Sequence, residues 1–336
     1  MRSVLVPLDI DPALPPGGST LYTASGLTMG TSWSARLMLP PGADGPALAR
    51  ALQDELDEIV AQMSHWEADS LLSRYNRAPS GSWHALPPRF YEVAAYALSV
   101  ANDSGGAYDP AAGALVDLWG FGATGRYDQA GFYAPPPDAI QMVLAQQRSQ
   151  RPLLDHAERR LLQPGGIRLD FSSVAKGYAV DRLGIRLEDA SVRHYLVEVG
   201  GELRGAGVKA GGEPWWVEIE GVPDGGDNPN QAMVALHGLA VATSGDYRRY
   251  FHHGPRRASH TLDPRSGQPV ANDVASSTVL APGCMAADAL STALTVMGLD
   301  AGLVFSDARC IAARFLVRHD GGLTEHTSAA WRELLQ

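Results

Sequence analysis

Cysteines and long apolar runs are the clearest absences from this sequence. The 336 residues include two cysteines, Cys284 and Cys310, at a spacing that fits no common metal-binding pattern. A disulfide-rich fold is therefore not expected, although the sequence leaves a single bridge open. The most apolar stretch, residues 285–305, is interrupted by Asp288 and Asp300, whereas a membrane span needs about 20 apolar residues. We expect no membrane-spanning helix and no membrane partner.

Excess positive charge and an export signal are missing as well. Lys and Arg number 27 against 37 Asp and Glu, which argues against a nucleic-acid partner because phosphate backbones are bound mainly by clustered basic residues. The first 20 residues are broken by Pro7, Asp9 and Asp11 and lack the continuous apolar region of a secretory signal. As written, the sequence predicts a cytoplasmic protein. A mature chain whose signal had been removed would look the same and would be periplasmic.

What the sequence does contain is enough apolar material for a large core. Hydrophobic residues make up 45% and charged residues 19%, a globular composition. Strand-like and helix-like segments do not alternate regularly, which favours an α+β fold over a doubly wound sheet. Segments 211–229 and 252–258 are rich in turn formers and are expected to be surface loops. We expect one functional domain over residues 20–336 and an N-terminal extension over residues 1–19.

Two segments carry side chains suited to metal and phosphate chemistry, although the common glycine-rich nucleotide motifs are absent. Asp288 and Thr292 are four residues apart in a predicted helix, so a carboxylate and a hydroxyl share one face. Such hard oxygen ligands suit Mg²⁺. The loop from Asp170 to Ser173 leads into a second predicted helix, whose N-terminus and Lys176 would favour a phosphate. The alternative in both cases is an ordinary capped first turn.

Three further segments offer a proton-transfer group, a carboxylate and an aromatic ring. His260 lies just before a tight turn, and histidine is the side chain best suited to proton transfer near neutral pH. A glycine-rich turn carries Tyr108 and Asp109. Trp66 could stack on a flat ring system, because aromatic faces attract planar π systems. The alternatives are a structural or solvent-facing histidine and core aromatic residues.

Taken in order, these segments and several others form a recognisable series. The eight matches are M-G-T at 29–31, M-S at 63–64 with S-x-x-S-x-x-N at 70–76, G-A-Y-D-P at 106–110, L-D at 169–170 with A-K-G-Y at 175–178, V-G-G at 199–201, A-T-S-G at 242–245, S-H at 259–260 with D-P-x-x-G at 263–267, and A-D-A at 287–289 with Thr292. The series resembles the ApbE-type FAD:protein FMN transferases over residues 20–330.

The resemblance implies a fold and a set of site residues. The fold is α+β and T-fold-related, with mixed sheets, flanking helices and FAD in a central cleft. The implied Mg²⁺ ligands are the Asp288 carboxylate, the Thr292 hydroxyl, the backbone carbonyl of Ser173 and the backbone of Ser291. Residues matching family contacts to FAD are Met29, Trp66, Ala107, Tyr108, Asp109, Asp170, Lys176 and Leu262. His260 matches the base that assists attack on the FMN phosphate.

The activity implied is cleavage of FAD, with AMP released and FMN attached through a phosphoester to a Thr or Ser of an acceptor flavoprotein. An FAD pyrophosphatase, with water as the nucleophile, and a non-catalytic FAD-binding protein are the alternatives. A base together with metal ligands argues against the second. The chain departs from many relatives at Ser172 and Ser173, where they carry glycine or alanine. Many relatives are exported and lipid-anchored, whereas the sequence as written shows no signal and no lipidated cysteine near its start.

Overall fold

The structure, a computed structural model, describes most of the chain. The described residues are 3–11, 13–124, 126–222, 232–253, 256–320 and 322–335. The chain divides into two compact units. Unit 1 comprises residues 1–58, 176–245 and 273–336, and unit 2 comprises residues 59–175 and 246–272. Each unit is therefore assembled from separate stretches of the sequence, and the single functional domain over residues 20–336 stays a prediction.

Unit 1 is built around an eight-stranded antiparallel sheet. In spatial order its strands are β18 (Gly322–Thr327), β17 (Ala312–His319), β16 (Val274–Ala281), β11 (Leu239–Gly245), β8 (Glu202–Ala206), β7 (Tyr195–Val199), β3 (Thr31–Leu39) and β2 (Thr20–Thr28). Strand β16 is buried along nearly its whole length, because it lies between two other strands and under a helix.

The helices of unit 1 pack on this sheet. They are α1 (Gly45–Met63, of which residues 45–58 belong to this unit), α6 (Ala175–Asp189, of which residues 176–189 belong to this unit), α7 (Cys284–Met297), α8 (Leu299–Ala308) and α9 (Ala329–Glu333). Helix α7 lies against β11 and β16, and its Leu294 is fully buried in a cluster with Val279 and Phe315. A fixed helix at this point of the sheet is what positions the chemistry described below.

A second, three-stranded sheet completes unit 1. Strand β1 (Ser3–Leu5) pairs in parallel with β10 (Ala232–Leu236), which pairs antiparallel with β9 (Trp215–Ile219). Leu5 is fully buried in a core cluster with Trp331. The start of the predicted extension therefore contributes a strand to this unit. The expected loop at 211–229 is wrong over residues 215–219, which form β9, and its residues 223–229 lie outside the described residues.

Unit 2 combines short sheets with helices. Its elements are α2 (Leu71–Asn76), β4 (Ser82–Ala85), α3 (Pro88–Asp103), α4 (Gly113–Leu118), α5 (Pro137–Ser149), β5 (Leu153–Asp155), β6 (Arg160–Gln163), β12 (Tyr250–His253), β13 (Arg256–Ser259), β14 (Leu262–Asp263) and β15 (Gln268–Pro269). Sheet order β4-β6-β5 is antiparallel, and β12–β13 and β14–β15 are separate hairpins.

The α+β prediction is confirmed, because both units mix largely antiparallel sheets with helices. The expected loop at residues 252–258 is wrong in detail, since its described residues take part in the β12–β13 hairpin and residues 254–255 lie outside the described chain. Its Arg- and His-rich sequence lacks the apolar alternation that marks a strand. Over the described residues, no helix combines the length and apolarity needed to cross a membrane.

Candidate functional site

Asp288 is a buried carboxylate near the start of α7. Its residue is 3% exposed, and its Oδ2 accepts a hydrogen bond of 2.9 Å from the Gly177 amide. Burial raises the pKa of Asp288, and the nearby Lys176 ammonium and the Gly177 amide oppose that rise. Because water screens a buried charge less than an exposed one, this carboxylate will attract a cation strongly.

The contact between α6 and Asp288 depends on glycine at position 177. A Cβ there would lie 2.3 Å from the Cys284 carbonyl oxygen and 2.7 Å from the Asp288 Cβ. Any other residue would therefore force α6 away from α7. The close approach of the two helices therefore explains why the A-K-G-Y segment has glycine at this position.

Three hydroxyl groups lie together beside the same face of α7. Ser244 Oγ is 2.9 Å from both Ser291 Oγ and Thr292 Oγ1, and Ser291 Oγ donates to the Asp288 carbonyl oxygen at 2.9 Å. Sequence reasoning named Ser291 and Thr292 but missed Ser244. The signal was available, because Ser244 belongs to the A-T-S-G segment at 242–245.

The ligand atoms around Asp288 are oxygens, the type that a hard cation prefers. One carboxylate and the Thr292 hydroxyl stand one turn apart on α7. Mg²⁺ usually takes one or two carboxylates and completes its shell with water and phosphate oxygens. Within the described parts of the chain, no group of three or more His, Cys, Asp or Glu side chains is arranged to hold a metal ion.

Lys176 and Glu202 form a largely buried ion pair beside Asp288. Lys176 Nζ lies 2.7 Å from Glu202 Oε1 and 3.8 Å from Asp288 Oδ1. Burial opposes the charge on Lys176, but the Asp288 and Glu202 carboxylates raise its pKa above the usual value. Burial also raises the pKa of Glu202 to about 7, against the lowering effect of Lys176. Glu202 was not among the residues predicted from the sequence.

Met29 occupies a strained turn in unit 1. It lies between β2 and β3 in the two-residue turn 29–30, with φ of 50° at Met29 and 71° at Gly30. Turns of this kind prefer Asn, Asp or Gly at both central positions. A methionine held in the left-handed region carries backbone strain, which is found most often at ligand sites. This is consistent with its predicted contact to FAD, which stays a prediction.

The G-A-Y-D-P segment of unit 2 is held mostly by internal contacts. Ala107 and Tyr108 are buried. The Asp109 carboxylate accepts a hydrogen bond of 2.9 Å from the Ala111 amide and forms an ion pair with Arg151. These contacts explain why the segment has a fixed shape. The predicted FAD contacts of Ala107, Tyr108 and Asp109 stay predictions.

Asp170 and Ser173 lie in the loop before α6. Asp170 Oδ1 accepts hydrogen bonds from the Ser172 amide, at 2.7 Å, and from the Ser172 hydroxyl. The loop is fixed further by Asn76, whose side-chain amide exchanges hydrogen bonds of 2.8 and 2.9 Å with the backbone of Leu169. Asn76 therefore has a structural role. Ser173 belongs to unit 2, and its role as a carbonyl ligand stays a prediction.

His260 follows the β12–β13 hairpin and has a defined tautomer. Its backbone N–H donates to the Arg249 carbonyl oxygen at 3.0 Å, and its Nδ1 lies 3.1 Å from the same oxygen. A carbonyl oxygen can only accept, so Nδ1 carries the proton in this hydrogen bond. The neutral ring then has its lone pair on Nε2, which is the form a general base needs.

Trp66 and Leu262 differ sharply in exposure. Trp66 is 46% exposed, with the Arg126 guanidinium 5.7 Å from its ring centroid. An exposed aromatic face is available for stacking. Leu262 is 7% exposed and packs with Trp119 and Leu144 in the core of unit 2. Its predicted contact to FAD therefore competes with a clear packing role.

Comparison with known proteins points to one family. A family model described as the ApbE family matches residues 29–315. An FAD:protein FMN transferase of Haemophilus influenzae is 33% identical over 326 residues, which cover 94% of this chain and 92% of that protein. One of Vibrio cholerae is 34% identical over 319 residues, which cover 93% of this chain and 92% of that protein.

Solved structures agree with the sequence relatives. The apo form of the flavinyl transferase ApbE of Pseudomonas stutzeri matches with a TM-score of 0.85 and 36% identity, covering 94% of this chain and 97% of that one. The flavin transferase ApbE of Vibrio cholerae matches with a TM-score of 0.86 and 33% identity, covering 94% and 100%. By sequence and by structure, this chain belongs to the ApbE family.

Proposed function

We propose that this protein is an FAD:protein FMN transferase, which cleaves FAD and attaches FMN to a Thr or Ser of an acceptor flavoprotein. The observation that carries the proposal is the buried Asp288, tied to the Gly177 amide and one helical turn from Thr292. Relatives that align over more than nine-tenths of the chain are named for this activity.

The cofactor proposed is Mg²⁺. The Asp288 carboxylate and the Thr292 hydroxyl would hold it, with the Ser173 carbonyl and the Ser291 backbone as further ligands. When bound, Mg²⁺ neutralises charge on the diphosphate oxygens and helps AMP to leave. The chain's own part is to keep Asp288 buried and oriented, which Gly177 does through its amide.

The remaining residues bind FAD and move one proton. Lys176 offers a positive charge to a diphosphate, and the exposed ring of Trp66 offers a stacking face to a flat ring system. The acceptor hydroxyl oxygen bonds to the FMN phosphorus, the bond from that phosphorus to the bridging oxygen breaks, and AMP leaves with that oxygen. The hydroxyl proton passes to Nε2 of His260, whose Nδ1 is already protonated toward Arg249.

Transfer is separated from hydrolysis by one experiment. The protein is incubated with FAD, Mg²⁺ and a flavinylation-competent acceptor domain, and the denaturing gel is read for flavin fluorescence. We expect a fluorescent acceptor band, which a Thr→Ala change at the acceptor residue removes. If AMP and free FMN form at equal rates with and without acceptor, and no band appears, the protein is an FAD pyrophosphatase.

A further inference from the structure

Two carboxylates in unit 1 compete for a single ammonium group. Lys176 Nζ lies 2.7 Å from Glu202 Oε1, a charge-assisted hydrogen bond, but 3.8 Å from Asp288 Oδ1, which is too long for one. The other Asp288 oxygen, Oδ2, accepts from the Gly177 amide. Glu202 therefore takes the direct contact with Lys176, and Asp288 keeps Oδ1 out of a direct ion pair.

The position of Glu202 is set by the rigid part of the fold. It is the first residue of β8 and follows the two-residue turn Gly200–Gly201. A Cβ on Gly200 would lie 2.9 Å from Thr31 Cγ2 and 3.4 Å from Lys176 Cδ, so the turn packs directly on the lysine side chain. The Glu202 residue is 5% exposed, and its Oε2 has no hydrogen-bond partner among the described residues.

We propose that Glu202 is a positioning residue that holds Lys176 away from Asp288, so that the Asp288 carboxylate can take a metal ion. The proposal rests on the proposed function, because it assumes that Asp288 is the metal ligand. A largely buried ammonium needs a negative partner. Without the Glu202 carboxylate, Lys176 closes on Asp288 Oδ1, forms a direct ion pair and competes with the cation for the same oxygen.

The test is a double-mutant cycle on metal binding in the FAD-free protein. Mn²⁺ takes the oxygen ligands that suit Mg²⁺, and its free concentration is read by electron paramagnetic resonance. In the presence of Lys176, we expect Glu202→Gln to raise the dissociation constant for Mn²⁺ about tenfold, within the range of coupling between contacting groups. In a Lys176→Gln background the same change has less than about a twofold effect, because the competing ammonium is gone.

Two further variants control the cycle. Glu202→Asp keeps the carboxylate and recovers part of the affinity lost in Glu202→Gln. Glu198→Gln removes a carboxylate on the adjacent strand β7, which accepts from the Ser34 hydroxyl at 3.0 Å, and leaves the affinity for Mn²⁺ unchanged. Thermal unfolding of each variant confirms that the proteins compared are folded.

The possible failures are distinguishable. If Glu202→Gln weakens Mn²⁺ binding equally in both backgrounds, Glu202 acts through its own charge or as a ligand, and the positioning role is wrong. If Glu202→Gln leaves the affinity for Mn²⁺ unchanged when Lys176 is present, the positioning role is wrong as well. If Asp288→Asn binds Mn²⁺ as the unchanged protein does, or if the unchanged protein binds none, the metal site itself is wrong and the inference fails with it.

Discussion

The two units place their candidate functional residues in opposite surroundings. In unit 1, Asp288 is 3% exposed, and its Oδ2 accepts a hydrogen bond from the Gly177 amide of α6. In unit 2, Trp66 is 46% exposed, and His260 follows a short hairpin. Burial strengthens the attraction of a carboxylate for a cation, whereas an exposed ring such as that of Trp66 is accessible to molecules that arrive and leave.

Because the surroundings differ, we expect substitutions in the two units to have different effects. Changes around Asp288 act on a packed region, so they should alter both metal binding and stability. Trp66 and His260 belong to unit 2, so we expect changes there to alter the reaction more than the stability of unit 1. The predictions below test that division, beginning with the largest effect.

The largest effect is expected from loss of the buried carboxylate. Asp288→Asn keeps the side-chain shape but removes the charge that would hold Mg²⁺, so we expect turnover to fall by about 10³-fold or more. Thr292→Ala should cost less, about 10- to 100-fold. The rate of flavin transfer is measured as a function of Mg²⁺ concentration. Full activity of Asp288→Asn at limiting Mg²⁺ would show that the carboxylate is not a ligand.

The second effect concerns the base in unit 2. His260→Ala should slow transfer by ~10²- to 10⁴-fold, the usual cost of losing a general base, while binding FAD normally. Transfer is followed with an acceptor domain, and FAD binding by the change in flavin fluorescence. The matched control is His252→Ala, which removes an exposed histidine from the hairpin that precedes His260. If His260→Ala no longer binds FAD, or reacts at the normal rate, His260 has a structural role and is not the base.

The third effect is on stability and is confined to unit 1. Gly177→Ala gains about 1 kcal/mol in helix propensity. The new Cβ would lie 2.3 Å from the Cys284 carbonyl oxygen, and such overpacking typically costs ~1–3 kcal/mol. We expect net loss of stability in urea unfolding, together with weaker Mn²⁺ binding. Gly211→Ala, where a Cβ meets nothing within 4 Å, is the control. Equal stability of the two variants would contradict the close-approach argument.

The sequence predicted those parts of the site that lie within one element. Asp288 and Thr292 are four residues apart in α7, so helical spacing alone places them on one face. The A-K-G-Y segment likewise begins a helix, as expected. The architecture class followed from the irregular alternation of strands and helices. These features depend on local patterns, which a single sequence carries.

Contacts between distant segments could not be predicted in the same way. Lys176 and Glu202 are 26 residues apart, and Ser244 and Thr292 are 48 apart. Each contact depends on which strand lies beside which helix, and hydrophobic periodicity does not determine that arrangement. Glu202 was missed because a glutamate opening a short strand has no local mark of burial. Its carboxylate lies beside Lys176 because the β7–β8 turn packs on that side chain.

The smallest effect tests whether burial in unit 1 also controls protonation away from the candidate site. Burial lowers the pKa of His194 below its usual 6.5. The nearby His237 also lowers this pKa, whereas the Asp11 carboxylate raises it, and burial outweighs that rise. His194 Nδ1 accepts a hydrogen bond of 3.0 Å from the Val208 amide, and a ring protonated at Nδ1 could not accept it.

The unfolded chain therefore binds a proton at His194 more readily than the folded chain. The stabilising contribution of the neutral ring is present above pH 6.5 and is lost as the pH falls through the lower folded pKa. We expect the stability of the unchanged protein, measured by urea unfolding, to fall relative to His194→Asn as the pH is lowered below 6.5. A stability difference that is constant with pH would mean that His194 has the same pKa in the folded and the unfolded chain. Burial in unit 1 would then not control protonation away from Asp288 and Glu202.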